Sequence, residues 1–246
     1  MYENLFTSDL PIYVSEKTGL KFYYRPNTSD IKTIMEVVER NVYEKKYFKI
    51  EKREHWIDFG GNIGAFTLLA LHKGATVDVY EADNEHCELI KMNLELNGFK
   101  ANVYNKAVVS DETKEITLFV QKNGNTWRNS IIKNWGGGKK VVECINFNDV
   151  LKNGSNCKID IEGAEMLLIE SLNIKLNKLV FEWSFDIDDD INRYRKAVEK
   201  MKLLFSKVHA GNIDEKHSKW LKSWFPPCKN VFCYNDVSDY IKNQTI

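Results

Sequence analysis

Three carboxylates fall close together in Cys157-Lys158-Ile159-Asp160-Ile161-Glu162-Gly163-Ala164-Glu165. The stretch reads as a strand over 157–161 running into a helix over 164–172. Period-two alternation sets Asp160 and Glu162 on one face and Ile159 and Ile161 on the other. Acidic side chains at the end of a strand buried on both faces need a reason, because burial of an unpaired charge is costly. One reason is proton transfer: a carboxylate within hydrogen-bond reach can take the proton of a hydroxyl nucleophile. Another is a divalent cation such as Mg²⁺, which would lower the hydroxyl pKa directly. The bland alternative is a solvated loop in which Glu165 merely favours a helix N-terminus. Glu182 ends the strand 178–184 and can share a crevice with Asp160, or be an ordinary strand-end acid.

A second group suits binding. In His55-Trp56-Ile57-Asp58-Phe59-Gly60-Gly61-Asn62-Ile63-Gly64-Ala65-Phe66-Thr67 a strand turns through glycines into an apolar helix ending near Lys73. Gly60 and Gly64 permit a sharp turn close to a ligand, and the first amides of the helix face it as donors. A dinucleotide fingerprint starting at Gly60 requires glycine at 62 and 65, where Asn62 and Ala65 stand. The pattern is instead acidic-x-Gly-x-x-x-Gly. Glu81 lies 21 residues after Gly60 at a strand end, where a carboxylate can accept both hydrogen bonds of a ribose diol. Asn105-Lys106-Ala107-Val108 ends the third strand and can line an adenine pocket through backbone groups and small side chains.

The elements that must position these groups alternate. Strands are expected at 55–59, 76–81, 101–108, 157–161 and 178–184, and helices near 64–73, 84–97, 164–172 and 188–205. Phe205–Ala210 and Asn230–Tyr234 are expected to form a final strand pair, with extra strands at 114–120 and 140–145. Such alternation implies an α/β fold, a parallel sheet with helices on both faces. Ahead of it, 11–14 and 20–25 read as a hairpin, and Ile31, Ile34, Met35 and Val38 recur at helical spacing. Residues 1–50 are therefore expected to form a small cap, and 51–246 the main domain.

Composition narrows the class. At 246 residues the chain suits one α/β domain with a small extension. Its 35 basic and 35 acidic residues cancel, so no net field draws it to nucleic acid or to an anionic membrane. No apolar run approaches a membrane span, and the opening residues lack a signal-peptide pattern. The five cysteines are scattered without a C-x-x-C pair, which points to reduced thiols in the cytoplasm. Cys228 and Cys233 lack a second ligand pair, and His209 and His217 have no ligand spacing, so no metal site is expected. Trp127, Trp135, Trp183, Trp220 and Trp224 offer aromatic faces that suit a sugar ring, although packing is the commoner use of tryptophan.

Taken in order, the loop 58–67, Tyr80-Glu81-Ala82-Asp83, Lys106-Ala107-Val108-Val109-Ser110-Asp111, Phe147-Asn148-Asp149-Val150-Leu151 and Lys158–Glu165 resemble the FkbM-type methyltransferases. Residues 20–43, with a helix to Tyr43, look like that family's lead-in, so the resemblance covers most of the chain. Lys-x-Asp-x-Glu-Gly-x-Glu is its most specific mark. Gly61 departs from it, standing where alanine is usual, as does Glu81-Ala82-Asp83, where Glu-Pro-Asn is common. The resemblance implies a class I methyltransferase fold, a Rossmann-like doubly wound sheet, mostly parallel with a final antiparallel strand. It also implies S-adenosylmethionine as cofactor, and methyl transfer to oxygen, often of a sugar hydroxyl.

The expected cofactor-binding residues are then Asp58, Gly60, Gly61, Asn62, Gly64, Thr67, Glu81, Ala82, Asp83, Asn105 and Ala107. The expected catalytic residues are Asp160 as general base, with Glu162, Glu165 and Glu182 orienting it or binding a carbohydrate or other small-molecule acceptor. Two rivals stand beside this reading: a methyltransferase of other small molecules or nucleic acid, and a non-catalytic binding module that keeps the fold. The Asn-Pro-Pro-Tyr-like motif of base amino methylation is absent, and intact Asp58, Gly60, Gly64, Glu81 and Asp160 speak against the binding module.

Overall fold

The computed structural model describes residues 10–122, 124–210 and 228–235. A hairpin of β1 (Ile12–Val14) and β2 (Lys21–Tyr23) leads to α1 (Asp30–Ile34), which continues into a π-helical turn, Met35–Glu39. The alternating unit follows as β3 (His55–Phe59), α2 (Ala65–His72), β4 (Thr76–Glu81), α3 (Asn84–Leu96) and β5 (Asn102–Asn105). An insert holds β6 (Ala107–Val109), β7 (Glu115–Val120), a 3₁₀ turn at Thr126–Arg128 and β8 (Gly138–Asn146). The chain returns through α4 (Phe147–Val150), β9 (Asn156–Ile159), α5 (Glu165–Ser171), β10 (Lys178–Ser184), α6 (Ile191–Leu204), β11 (Lys207–His209) and β12 (Cys228–Tyr234).

The main sheet has seven strands in the order β11-β12-β10-β9-β3-β4-β5. Every pairing from β10 to β5 is parallel, and β12 alone runs against its neighbours. Alternation along β3 assigns its two faces. Trp56 joins a buried cluster with Phe66, Leu69, Leu89 and Ile90 of α2 and α3, which also takes in Leu20, Phe22 and Ile34 from the N-terminal segment. Ile57 and Phe59 join the opposite cluster, with Met166, Leu168 and Ile169 of α5 and Tyr194, Ala197 and Met201 of α6. Two apolar layers thus sandwich one sheet, and residues 10–50 belong to one of those layers. Their hairpin is pinned to α3 by side-chain amides: the amide N–H groups of Tyr23 and Lys21 donate to Asn93 at 2.6 Å and Asn97 at 2.9 Å.

Several expected elements differ in extent, four of them in ways that bear on the site. The strand expected at 101–108 is two strands, because the Lys106 N–H bonds the Tyr104 carbonyl at 3.0 Å and the chain steps off the sheet edge. β6 then pairs in parallel with β8 in a separate three-stranded sheet. The helix expected to reach Tyr43 stops at Glu39, and Asn41 turns left-handed at φ 55°. The helix expected over 188–205 begins only at Ile191, because the Asp190 side chain caps it by accepting from the amides of Asn192 and Arg193. The strand expected to reach 161 ends at Ile159, so alternation does not set the relation of Glu162 to Asp160. There the Glu165 carboxylate takes over the backbone, accepting from the amides of Ile161 at 2.9 Å and of Gly163 at 3.1 and 3.0 Å, while Glu162 adopts φ 56°. Trp183 is fully buried and stacks on Tyr194 with ring centroids 4.2 Å apart. Trp220, Trp224 and His217 lie outside the described residues.

Candidate active site

A cavity of about 510 Å³ lies at the carboxyl ends of β3, β4, β9 and β10, where open parallel sheets bind their ligands. Its roof is built by joining two distant segments. The Ser29 N–H donates to the Gly124 carbonyl at 2.7 Å, and the Trp127 N–H to the Ser29 hydroxyl at 2.9 Å. The Thr126 hydroxyl donates to Asp30 at 2.9 Å, and Asp30 is in turn held by Arg25 at 2.8 Å. This brings Thr33, Glu36 and Val37 on one side, and Asn125 to Asn129 on the other, to the cavity wall.

At one end the wall is mostly backbone. Gly60 has φ 85°, and a Cβ there would overlap the carbonyl oxygen of Asp160, so only glycine lets the β3 turn lie against the end of β9. Gly61 has no room either, because the side chains of Val79 and Ile90 occupy the space an alanine methyl would take. Glu81 faces this turn with its carboxylate fixed by two amides: one oxygen accepts from Asn62 N–H at 2.7 Å and the other from Asp83 N–H at 2.8 Å. Each oxygen keeps a lone pair for a further donor. The carboxylate is therefore held rigidly at the cavity wall with acceptor capacity left over. Apolar Ala107, Val108, Leu118 and Ile131 line the wall beyond it.

The other end is made of side chains. Asp160, Glu162 and Glu182 line it from the ends of β9 and β10, with Glu36 from the π-helical turn. The Tyr43 hydroxyl donates to Asp160 Oδ2 at 2.5 Å. Lys158 lies beneath, its Nζ 3.1 Å from Asp58, 3.9 Å from Asp160 Oδ2 and donating to the Gly60 carbonyl at 2.7 Å. Burial pulls the Lys158 pKa down, but the charges of Asp58 and Asp160 outweigh it, so its value is raised and the ammonium stays charged. Burial raises Asp58 despite Lys158 and the Thr67 hydroxyl, which donates to it at 2.7 Å. Glu162 is pushed well up by burial and by Asp160, Glu182 and Glu165, against the pull of Arg128. Glu165 is pushed up to about 7 by burial and Asp160, although three amide contacts and the Ser184 hydroxyl hold it.

Of the residues singled out in the sequence, Gly60, Gly61, Asn62, Glu81, Ala82, Ala107, Asp160, Glu162 and Glu182 line this one cavity. Asp58, Gly64, Thr67, Asp83, Asn105 and Glu165 stand behind its wall instead, and each has a visible task there. Asp58, fixed by the Thr67 hydroxyl, holds Lys158, and Gly64 precedes α2. Asp83 caps α3 through Glu85 N–H at 3.0 Å and anchors the insert through Lys140 at 2.7 Å and Asn129 at 2.8 Å. Asn105 ties down the carbonyls of Glu81 and Ala82 at 3.0 and 2.8 Å. Glu165 organises the turn that carries Glu162. Tyr43, Glu36, Lys158, His86 and Arg128 also line the cavity and were not among the expected residues. For Lys158 a signal existed, its place in the Lys-x-Asp element; for Tyr43 and Glu36 nothing local distinguished them. Among the described residues no three His, Cys, Asp or Glu side chains form a group able to hold a metal ion.

With β12 reversed between β10 and β11, the sheet is that of a class I S-adenosylmethionine-dependent methyltransferase. The chain belongs to the FkbM methyltransferase family: the family described as "Methyltransferase FkbM domain" matches residues 58–217. No curated protein sequence matches it. Among solved structures it is similar to the precorrin-6y C5,15-methyltransferase of Geobacter metallireducens, at 9% identity and TM-score 0.44, over 87% of this chain and 93% of that one. It is similar to P. horikoshii TYW2 in complex with MeSAdo, at 13% identity and TM-score 0.45, over 93% and 72%. A third is the Pyrococcus abyssi tRNA (uracil-54, C5)-methyltransferase in complex with S-adenosyl-L-homocysteine, at 14% identity and TM-score 0.46, over 90% and 43%. No helix among the described residues is long and apolar enough to cross a membrane.

Proposed function

We propose that this methyltransferase acts on a hydroxyl oxygen of a sugar, in a glycan or glycosylated metabolite, with Asp160 as general base. The observation that carries the reading is the placement of Asp160: its carboxylate lines the cavity, one oxygen is taken by Tyr43, and its backbone abuts the Gly60 turn. The residues fit the cofactor. Glu81 would hold the ribose diol with oxygens already aimed by the amides of Asn62 and Asp83, and Gly60 to Asn62 would give the close backbone approach. S-adenosylmethionine, when bound, supplies an electrophilic methyl group. Asp160 accepts the acceptor's hydroxyl proton on Oδ1, the oxygen not engaged by Tyr43. Lys158 stays charged and keeps Asp160 next to the cofactor turn.

The sugar class rests on the wall opposite Glu81. A polyol needs many hydrogen-bond partners, and Glu162, held toward its neutral form, both donates and accepts. Trp127 adds an apolar face, as sugar rings require. The same reading puts the enzyme in the cytoplasm. Cys87, Cys144, Cys157 and Cys233 are buried free thiols, and burial pushes each upward. Such thiols persist unpaired where the medium is reducing.

The test is release of S-adenosylhomocysteine from S-adenosylmethionine with a panel of methyl glycosides and a second panel of phenols and carboxylic acids. Turnover on a glycoside, lost in Asp160→Asn, is the expected result. Turnover confined to the second panel would keep methyl transfer and remove the sugar; tight cofactor binding with both panels silent would favour a binding module.

A further inference from the structure

We propose that Tyr43 is a positioning residue for the reaction, a phenol fixed in place to orient Asp160; the inference rests on the reading of Asp160 as the base. Tyr43 comes from the N-terminal segment, 117 residues away from Asp160 in sequence. It reaches the cavity because the helical turn ends at Glu39 and Asn41 redirects the chain at φ 55°. Its ring is 3% exposed, and the tight enclosure has two identifiable sides. Phe66 of α2 meets it edge-on at 5.6 Å between centroids, and the Lys158 ammonium lies 5.6 Å from the ring centre.

A phenol has one proton to donate, and here it goes to Asp160 Oδ2 at 2.5 Å, at the short end for a charge-assisted O–H···O bond. The donor role is stable. Burial first, and then the charges of Asp160 and Glu182, hold Tyr43 well above the ordinary phenol value, so it does not compete for the acceptor's proton. A carboxylate tied by one oxygen from a buried, rotationally fixed donor keeps its other oxygen in one place. That is the geometric requirement for a base acting on a hydroxyl. Packing alone would ask only for the ring.

The charged groups around Asp160 are Lys158 on β9, Asp58 on β3, Glu36 on the π-helical turn, Glu182 on β10, and Glu162 and Glu165 beyond β9. Tyr43→Phe leaves all of them in place. It also keeps the ring between Phe66 and Lys158 and removes only the hydroxyl.

The experiment compares wild type, Tyr43→Phe and Asp160→Asn, using the methyl glycoside that turns over fastest in the panel above. For Tyr43→Phe, kcat should fall about 10-fold or more, with the S-adenosylhomocysteine dissociation constant and the glycoside KM within about threefold. A variant with wild-type kcat, or one whose loss lies in KM alone, would overturn the inference. If Asp160→Asn retains turnover, it is the base reading that fails; if it is inactive while Tyr43→Phe is normal, only the role of Tyr43 fails. Should every glycoside be silent, the ¹³Cζ resonance of Tyr43, assigned by its loss in Tyr43→Phe, replaces turnover. It should move in Asp160→Asn, and an unmoved resonance would sink the proposal.

Discussion

The two ends of the cavity are built by opposite means. Around Glu81 the surface is the backbone of the β3 turn, one carboxylate satisfied by amides on both oxygens, and an apolar wall of Ala107, Val108, Leu118 and Ile131. Around Asp160 the surface is side chains gathered from the π-helical turn, the segment after it, β9, β10 and the insert. Four of the ionisable groups there, Tyr43, Lys158, Glu162 and Glu165, are raised above their ordinary values. A rigid, internally satisfied end is what recognition of an invariant ligand needs. An end whose protonation states depend on neighbours suits chemistry and the variable partner.

The largest expected effect breaks the comparison if the two ends are not independent. Asp160→Asn should lower turnover by about 10²- to 10⁴-fold, the usual contribution of a positioned base. Its affinity for S-adenosylhomocysteine in titration calorimetry should stay within a few-fold. An equal loss of affinity would mean that Asp160 belongs to the cofactor end.

Next comes the carboxylate that shapes the Asp160 end from behind. Glu165 is lifted from the ordinary 4.5 to about 7, so the folded protein holds its proton more tightly than the unfolded chain does. Its contribution is fully present below about pH 4.5 and lost as pH rises through about 7. By linkage this is worth about 3 kcal/mol at most. Glu165→Gln should therefore flatten the fall in stability between those two pH values in urea titrations. Parallel curves for variant and wild type would show that Glu165 titrates like a free carboxyl.

Glu81→Ala sharpens the contrast from the other end. Loss of two hydrogen bonds to a charged acceptor should weaken cofactor binding by roughly 1.5–3 kcal/mol, with kcat at saturating cofactor much less affected. Unchanged affinity would take Glu81 out of the cofactor site. The smallest effect concerns Gly61, where the family usually has alanine. Val79 and Ile90 fill that space here, so Gly61→Ala should destabilise the fold by about 1–3 kcal/mol, as overpacking does. Val79→Ala should restore part of that loss; a neutral Gly61→Ala in thermal melts would mean the Val79 side chain yields freely.

The limits of sequence reading follow the same division. β3, β4 and β10 lie where their apolar residues predict, because both faces of these strands are buried and the run itself reports it. The 157–161 expectation overruns by two residues, since at Asp160 a side-chain carboxylate from α5 replaces strand pairing for the next amides. The 101–108 expectation joins two strands that belong to different sheets, a partition set by the pairing partner β8 and invisible in the local pattern. Asp83 looks like a binding residue at a strand end, yet its oxygens are used by the α3 cap, Lys140 and Asn129.

The sequence by itself determined the parallel sheet, the glycine turn, the strand-end Glu81 and the Lys-x-Asp-x-Glu-Gly-x-Glu element, because each is a local pattern whose meaning travels with its spacing. Only the tertiary structure decided which carboxylates share one cavity, that Lys158 bridges Asp58 to Asp160, and that Tyr43 donates to that same aspartate across 117 residues. Ion pairs and hydrogen bonds of this kind depend on distances of a few ångströms between distant parts of the chain, and no local spacing encodes them.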